Sequence, residues 1–512
     1  MENPFSEGEN RVIRPPATAL VIFGATGDLT KRKLIPALYN LAHDDYLPSC
    51  FVVIGAARTK LTDEQFRNDV LASVKEHSRR PVDEKVWARF AANMYYQPVD
   101  GSVADDFAKL RNRLTQLGQE RSENLNYLYY LSVAPEHFGP IAANLKHAGL
   151  VEEPSSGTRR TSLIIEKPFG HDLESARTLN AIVRGSFAEE QIFRIDHYLG
   201  KETVQNILVL RFSNGVFEPL WNHNHIDNIQ ISVCENIGVG SRASYFDNSG
   251  ILRDIVQNHL LQMLSLLCIE PPLSLSDANS IRDEKVKVLR AIKRFSLEEV
   301  ATSTARAQYS SGFIDGQPVP GYRGEKGVRP DSETETYVAM RLEIDNWRWV
   351  GVPIYVRAGK RLPRRITEIT IYFKKAPSSI FRGRQIQDLE QNALVIQVQP
   401  DEGIAFRINA KPPGPRLRVR PVDLDFEYGD SFAVPSAEAY ERLILDSMKG
   451  DATLFIRDDE IEEAWDLLTP VMRAWGEDGT IAPPLYHYEA GSWGPSAAAQ
   501  LLRPRGHRWR RL

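Results

Sequence analysis

The chain has 512 residues, 42% hydrophobic and 25% charged, which is the profile of a globular protein long enough for more than one domain and for sizeable cores. Its 63 basic and 67 acidic residues leave a net charge of -4, which argues against nucleic acid as the main partner. Three scattered cysteines with no Cys-x-x-Cys, no bilayer-length apolar run and no signal-peptide core argue against a disulfide scaffold, a thiolate metal site and a membrane protein, and fit a reducing, cytoplasmic setting.

Residues 1–17, rich in Asn, Glu, Arg and Pro, read as a flexible lead-in. Residues 19–23 are a continuous apolar run, as expected of a strand buried on both faces of a parallel sheet. Gly24-Ala25-Thr26-Gly27-Asp28-Leu29-Thr30 then turns the chain into a helical stretch with Leu34, Leu38 and Leu41 at helical spacing, and residues 51–54 form the next strand. Strand, glycine turn, helix, strand is a dinucleotide-binding opening, in which the N–H groups at the helix start can hold a pyrophosphate. A strict Gly-x-Gly-x-x-Gly would need glycine at Thr26 and Leu29, so an ordinary tight turn is the competing reading. Past the second strand stand Arg58 and Lys60, where NAD sites place an acid for the ribose; a guanidinium there leans to NADP, and a solvated loop arginine is the alternative.

Further strands are expected at 127–133 and 162–166, the second running into Lys167-Pro168-Phe169-Gly170, with Asp172 capping a helix over 173–183. Lys167, at the carboxyl end of a parallel strand, is either a site residue or a surface lysine. Residues 194–202 read Arg-Ile-Asp-His-Tyr-Leu-Gly-Lys-Glu. If 198–202 form a helical turn, His197 and Lys201 project from one side and suit a phosphate dianion, while Asp196 is left to orient another histidine. A solvated turn with a charge pair is the alternative.

After about residue 203 alternating patterns at 228–235, 337–344, 366–373, 393–398 and 404–410, without intervening helices, predict an antiparallel sheet with one exposed face. A helix is expected over 251–268, with His259 on the side of Ile255, Val256 and Met263. On an α-helix Asp254 lies about 140° around from His259, so the two cannot stack but could flank one ligand. His259 is either a core histidine or a general base, with Asp196 its natural orienter. Residues 310–330, rich in Gly, Pro and charge, read as a mobile loop. Tyr322 and Lys326 lie among glycines, so their spacing is not the helix-borne pair of short-chain reductases; His223 and His225 lack companion ligands, so no metal is expected. Residues 352–365 are a strand ending in a basic loop with Arg357, Lys360 and Arg365, a cluster relieved by a bound anion or spread on a solvated face. Late helices are expected at 437–448 and 460–475. The basic residues 501–512 read as a solvated tail, with an anion site the second reading.

Taken in order, Gly24-Ala-Thr-Gly-Asp-Leu-Thr-Lys31, Glu166-Lys-Pro-Phe-Gly170, the 194–202 string, Arg253-Asp254 with Gln257-Asn-His259, Arg306-Ala-Gln-Tyr309 and Val356-Arg-Ala-Gly-Lys360 resemble the glucose-6-phosphate dehydrogenase family, from about residue 18 to about residue 495. The resemblance implies an α/β Rossmann-like coenzyme domain over 18–196 and a larger α+β substrate-binding and oligomerisation domain, built on an antiparallel sheet, over 197–512. It implies oxidation of glucose 6-phosphate to 6-phosphoglucono-δ-lactone with NADP, the entry to the pentose phosphate pathway, in a homodimer or homotetramer. His259 would then be the general base and Asp196 its orienter. His197, Tyr198, Lys201, Lys360 and Arg365 would hold the phosphate end, and Glu235 and Asp254 the sugar hydroxyls. Gly24, Ala25, Thr26, Gly27, Asp28, Leu29, Thr30, Lys31, Arg58, Tyr130 and Lys167 would contact the coenzyme, with a cis bond between Lys167 and Pro168. No metal is required.

Overall fold

The computed structural model describes residues 14–377, 389–415, 417–429, 437–476 and 483–512, so residues 1–13 of the expected lead-in lie outside the described residues. The chain forms two compact units, one of residues up to Gly170 with Glu174–Gly200 and Ala437–Asp458, the other of His171–Leu173, Lys201–Ser436 and Asp459–Leu512.

In the first unit β1 (Thr18–Phe23) is buried at all six positions, as its apolar run requires. It lies between β2 (Phe51–Ala57) and β4 (Asn126–Leu131), both parallel to it; β3 (Met94–Pro98) flanks β2, and β5 (Thr161–Ile165) and β6 (Ile192–Ile195) follow β4. The order β3-β2-β1-β4-β5-β6 is that of a Rossmann sheet, whose direction of progression reverses at β1 and leaves a crevice outside the carboxyl ends of β1 and β4. A short strand, Phe455–Ile456, pairs antiparallel with β6. The core joins Leu20, Ile22 and Tyr130 of the sheet to Leu38 and Tyr39, and also to Leu443 and Ile444 of the helix Ala439–Lys449. That helix comes from far along the chain, and a single cut between 196 and 197 separates it from the core it completes.

The second unit is built on a nine-stranded sheet. Its strands are β7 (Ile226–Cys234), β8 (Thr304–Ser310), β11 (Tyr337–Glu343), β12 (Pro353–Gly359), β13 (Ile366–Phe373), β14 (Ala393–Gln399), β15 (Gly403–Ala410) and β16 (Arg420–Glu427), with Leu485–Glu489 at one edge beside β8. Six neighbouring pairs are antiparallel; β7 with β12 and β8 with Leu485–Glu489 are parallel.

Among the described residues the middle of the sheet is buried on both faces, and exposure is confined largely to its two ends, at β15–β16 and at the edge strand Leu485–Glu489. In β7, Gln230 and Ser232 alternate with Ile229, Ile231 and Val233, yet all five are buried. The C-terminal residues cover the polar pair. Gln230 donates to the Arg508 carbonyl and accepts from the Arg510 N–H, both at 2.9 Å, and Arg357, bonded to Ser232, lies 4.4 Å from the Trp509 ring. Arg510 pairs with Glu368 at 2.9 Å and His507 with Asp227 at 3.1 Å. The tail is thus packed as a structural seam through its backbone, His507, Trp509 and Arg510, while Arg503, Arg505, Arg508 and Arg511 stay exposed to solvent.

Residues 310–330 are likewise built and not a mobile loop. β9 (Gly312–Ile314) and β10 (Gln317–Val319) form a hairpin across Asp315 and Gly316, both at positive φ, which is the Asp-Gly turn of a two-residue connection. Tyr322 then anchors the stretch, buried, with its hydroxyl donating to Asp247 at 3.0 Å.

Candidate functional site

The glycine turn sits at the carboxyl end of β1. Gly24 has φ +82°, and a Cβ there would lie 2.1 Å from the Ser132 carbonyl oxygen, so only glycine permits this approach of β1 to the segment after β4. The Gly27 N–H donates to the Gly24 carbonyl at 2.9 Å and the Lys31 N–H to the Gly27 carbonyl at 3.2 Å. The Thr30 hydroxyl reaches the Gly24 carbonyl and the Ser132 hydroxyl, at 3.1 and 3.2 Å. A π-helical turn, Thr30–Leu34, runs from here into the α-helix Ile35–His43. Ala25 and Thr30 are buried; Thr26, Gly27 and Leu29 are partly open; Asp28 and Lys31 are exposed. Leu29, where the strict fingerprint has glycine, packs on the core. Arg58, one residue past β2, is exposed and makes no ion pair among the described residues. Lys167 is partly exposed past β5, in a cis bond to Pro168.

After β6, Asp196 is 1% exposed, and its Oδ1 accepts the Tyr198 N–H at 3.0 Å. A carboxylate taking the amide two residues on makes a turn that competes with helix. Accordingly 198–202 is not the expected helical turn. The helix Glu202–Phe212 starts later, with Lys201 as its extended N-cap, so helical periodicity does not relate Lys201 to His197. His197 is partly exposed, its ring edge-on to that of buried Tyr198 at 5.0 Å.

In the second unit the expected helix over 251–268 exists, but Leu252–Leu260 is π-helical and becomes α only at Leu261–Cys268. This overturns the angular argument from the sequence. In a π-helix the hydrogen bond links residues five apart, so Asp254 and His259 come toward one side instead of standing about 140° apart as on an α-helix. His259 is 1% exposed and Asp254 4%, with Arg242 3.5 Å from the latter. The segment is entered at Gly250, φ +67°, where a Cβ would meet the Glu335 carboxylate at 2.2 Å; that carboxylate accepts the Leu252 N–H at 3.1 Å.

The parallel register of β7 and β12 sets Cys234 beside Gly359 and so brings the next residues together: Lys360 Nζ lies 2.5 Å from Glu235 Oε2. Arg361 pairs with Glu325 at 3.0 Å, and exposed Arg365 donates to the Gln399 side chain at 3.1 Å. With Arg357 against Trp509, much of the basic cluster is matched by acids, amides and rings of the chain itself. Mutual repulsion therefore does not demand an anion there. Burial raises the Glu402 carboxyl, and the Lys201 charge opposes that rise.

Two family models cover nearly the whole chain: the glucose-6-phosphate dehydrogenase NAD binding domain over residues 21–206, and the glucose-6-phosphate dehydrogenase C-terminal domain over 208–510. A glucose-6-phosphate 1-dehydrogenase of Aggregatibacter actinomycetemcomitans is 48% identical over 492 residues, 96% of this chain and 97% of the relative. One of Bacillus subtilis is 43% identical over 494 residues, 96% and 98% of the two chains. Among solved structures, a glucose-6-phosphate dehydrogenase in complex with its substrate glucose-6-phosphate superposes with a TM-score of 0.88 at 35% identity, over 97% of this chain and 99% of that one. The chain belongs to the glucose-6-phosphate dehydrogenase family.

Within this glucose-6-phosphate dehydrogenase scaffold Tyr130 is fully buried, and its hydroxyl donates to Glu166 Oε1 at 2.5 Å. Sequence reasoning passed over this partner: Glu166 stood inside a quoted string without a role. Among the described residues no helix is long and apolar enough to cross a membrane.

Proposed function

We propose that the chain is a cytoplasmic glucose-6-phosphate 1-dehydrogenase that oxidises D-glucose 6-phosphate to 6-phospho-D-glucono-1,5-lactone with NADP, the first step of the pentose phosphate pathway. The observation that carries this reading is the end-to-end match to relatives of that name, 48% identical over 492 residues, with no large part of either chain left over. The glycine turn and the exposed Arg58 fit a dinucleotide with a 2'-phosphate, held by residues 24–31, Arg58 and Lys167. The coenzyme, when bound, supplies the hydride acceptor.

His259 takes the proton of the C1 hydroxyl as general base, and Asp196 orients its imidazole and stabilises the imidazolium. Both are almost wholly withdrawn from water, which strengthens such electrostatic roles. His197, Tyr198, Lys201 and Arg365 hold the phosphate. Lys360 and Glu235, paired at 2.5 Å, act as one donor–acceptor unit and, with Asp254, suit neutral sugar hydroxyls better than a dianion, which moves Lys360 from the phosphate end to the hydroxyl end. The coenzyme-binding domain is residues 18–196 completed by Ala437–Asp458; the remainder of 197–512 is the substrate and oligomerisation domain. A homodimer or homotetramer forms on the open β15–β16 end of the large sheet, where Leu424 is 57% exposed.

The test is to incubate the protein with glucose 6-phosphate and NADP and follow nicotinamide reduction at a defined protein concentration. Turnover with that pair, and little with unphosphorylated glucose, is expected. Binding of NADPH without turnover would instead mark a coenzyme sensor that has no need of a base.

A further inference from the structure

The Lys360–Glu235 pair stands at the end of a chain of hydrogen bonds that the proposed mechanism does not use. The Lys360 N–H donates to the Thr336 carbonyl at 3.0 Å, and the Lys360 carbonyl accepts the Tyr488 hydroxyl at 2.6 Å. Tyr488 lies on the edge strand Leu485–Glu489, which runs parallel to β8 with Tyr488 beside Tyr309. Two strands, β8 and β11, separate that edge from β12. The tyrosine hydroxyl therefore reaches past both to the residue that follows β12. Its one proton goes to Lys360, the nearest acceptor, so the Thr336 hydroxyl at 3.1 Å donates to it and in turn accepts the Tyr309 N–H at 3.1 Å.

Arg361 holds Lys360 from the other side. Its φ is +51°, a conformation that a residue with a side chain keeps only where its surroundings impose it. The guanidinium pairs with Glu325 at 3.0 Å, Glu325 also accepts the Tyr309 hydroxyl at 2.9 Å, and the Gly491 N–H donates to the Arg361 carbonyl at 2.8 Å. Tyr309 thus serves both sides, by its N–H toward Lys360 and by its hydroxyl toward Arg361. Buried Lys360 is left with its ammonium 2.5 Å from Glu235 and 5.0 Å from the centre of the Phe246 ring. A lysine side chain is costly to order, and a backbone already fixed lowers what remains to be ordered when a ligand binds. Burial pushes the Tyr488 hydroxyl far above its ordinary range, so it stays protonated and able to donate. All of these groups lie in the second unit.

We propose that Tyr488 is a positioning residue: its hydroxyl, together with the Glu325–Arg361 pair, locks the backbone of Lys360 and so presents the Lys360–Glu235 pair to the sugar hydroxyls. The inference rests on the proposed role of that pair toward the substrate. It gives the edge strand Leu485–Glu489 a task at the site besides extending the sheet. A positioning role of this kind predicts a loss read in the glucose 6-phosphate KM, with the NADP KM much less affected.

The experiment uses the full-length protein with Tyr488→Phe, Glu325→Gln, Lys360→Met and the double variant of Tyr488→Phe with Lys360→Met. Steady-state kinetics give kcat and both KM values, and calorimetry gives the melting temperature. Brief treatment with acetic anhydride, read by mass spectrometry, reports how accessible the Lys360 amine is. Tyr488→Phe keeps the ring and should raise the glucose 6-phosphate KM about three- to tenfold, the worth of one net hydrogen bond, with the NADP KM within about twofold of wild type. Lys360 should acetylate faster than in wild type, while exposed Lys326 labels alike in both. In the Lys360→Met background Tyr488→Phe should add less than about twofold to the glucose 6-phosphate KM, because it acts through Lys360. Multiplying effects in the double variant, or a lower melting temperature with Lys360 acetylation and the substrate KM unchanged, would show Tyr488 to be core packing only and overturn the proposal. Should Tyr488→Phe fail to fold, Glu325→Gln makes the same comparison from the Arg361 side, since it removes the charge and keeps the shape. If Lys360→Met alone left the glucose 6-phosphate KM unchanged, the role of the pair toward the substrate would fall instead, and Lys360 acetylation would still decide whether Tyr488 holds it.

Discussion

Arg58 and His259 illustrate opposite environments for a functional side chain. Arg58 stands exposed at the end of β2 without an ion pair among the described residues, so its guanidinium is available to an incoming anion. Arg58→Ala should lower kcat/KM for NADP by about tenfold or more, the worth of a hydrogen bond to a charged group, and change that for NAD little. Equal losses for the two coenzymes would assign Arg58 to loop support. His259 is enclosed, and an enclosed histidine is equally a core residue until its chemistry is tested. His259→Asn keeps a polar group of similar size and should cut kcat by roughly 10²- to 10⁴-fold while substrate affinity holds. A kcat within a few-fold of wild type would return His259 to the core.

At the level of elements, two features turn on departures from regular geometry. The π-helical segment Leu252–Leu260 re-aims Asp254 relative to His259, which no reading of α-helical periodicity supplies. The C-terminal seam substitutes for solvent over the polar face of β7. Removing residues 507–512 should uncover Gln230 and take from Arg357 and Glu368, both almost fully buried, the Trp509 ring and the Arg510 guanidinium that face them. Breaking a buried pair costs about 3–5 kcal/mol, so the truncated protein should melt several degrees lower by calorimetry. An unchanged melting temperature would mean the sheet face is indifferent to its cover. Counting arginines in the tail could not reveal this, because the stabilising partners lie on a strand remote in sequence.

For the molecule as a whole, the late helix that completes the coenzyme unit also carries a pH dependence. Burial holds the Asp446 carboxyl at about 6, against the opposing charge and 2.8 Å hydrogen bond of Arg442. The folded-state value is raised above the unfolded one, so the native state binds this proton more tightly. That contribution to stability is complete below about pH 4 and is lost as the pH rises through about 6. Asp446→Asn should therefore flatten the fall in unfolding free energy between those values, by roughly 3 kcal/mol at most. Denaturant unfolding at a series of pH values checks this, and parallel curves for the two proteins would clear Asp446.

The sequence by itself determined what a few neighbouring residues can encode. The buried run of β1, the glycine demanded by φ +82° at Gly24, the arginine past β2 and the most distinctive string around Asp196 were all legible before any coordinates, and with them the family. Even locally some chemistry escaped notice: the Asp315-Gly316 hairpin turn was masked by the glycines and charges around it, and the Asp196 side chain bends the backbone where a helical turn was expected. Only the tertiary structure decided the rest. The Lys360–Glu235 pair depends on the register of β7 against β12, the core of the coenzyme unit on a helix packed from the far end of the chain, and the tail seam on the polar face it covers. Hydrogen-bonding turns and periodicity act within a few residues, whereas these contacts are selected by which distant surfaces bury one another, a property no short stretch of the chain contains.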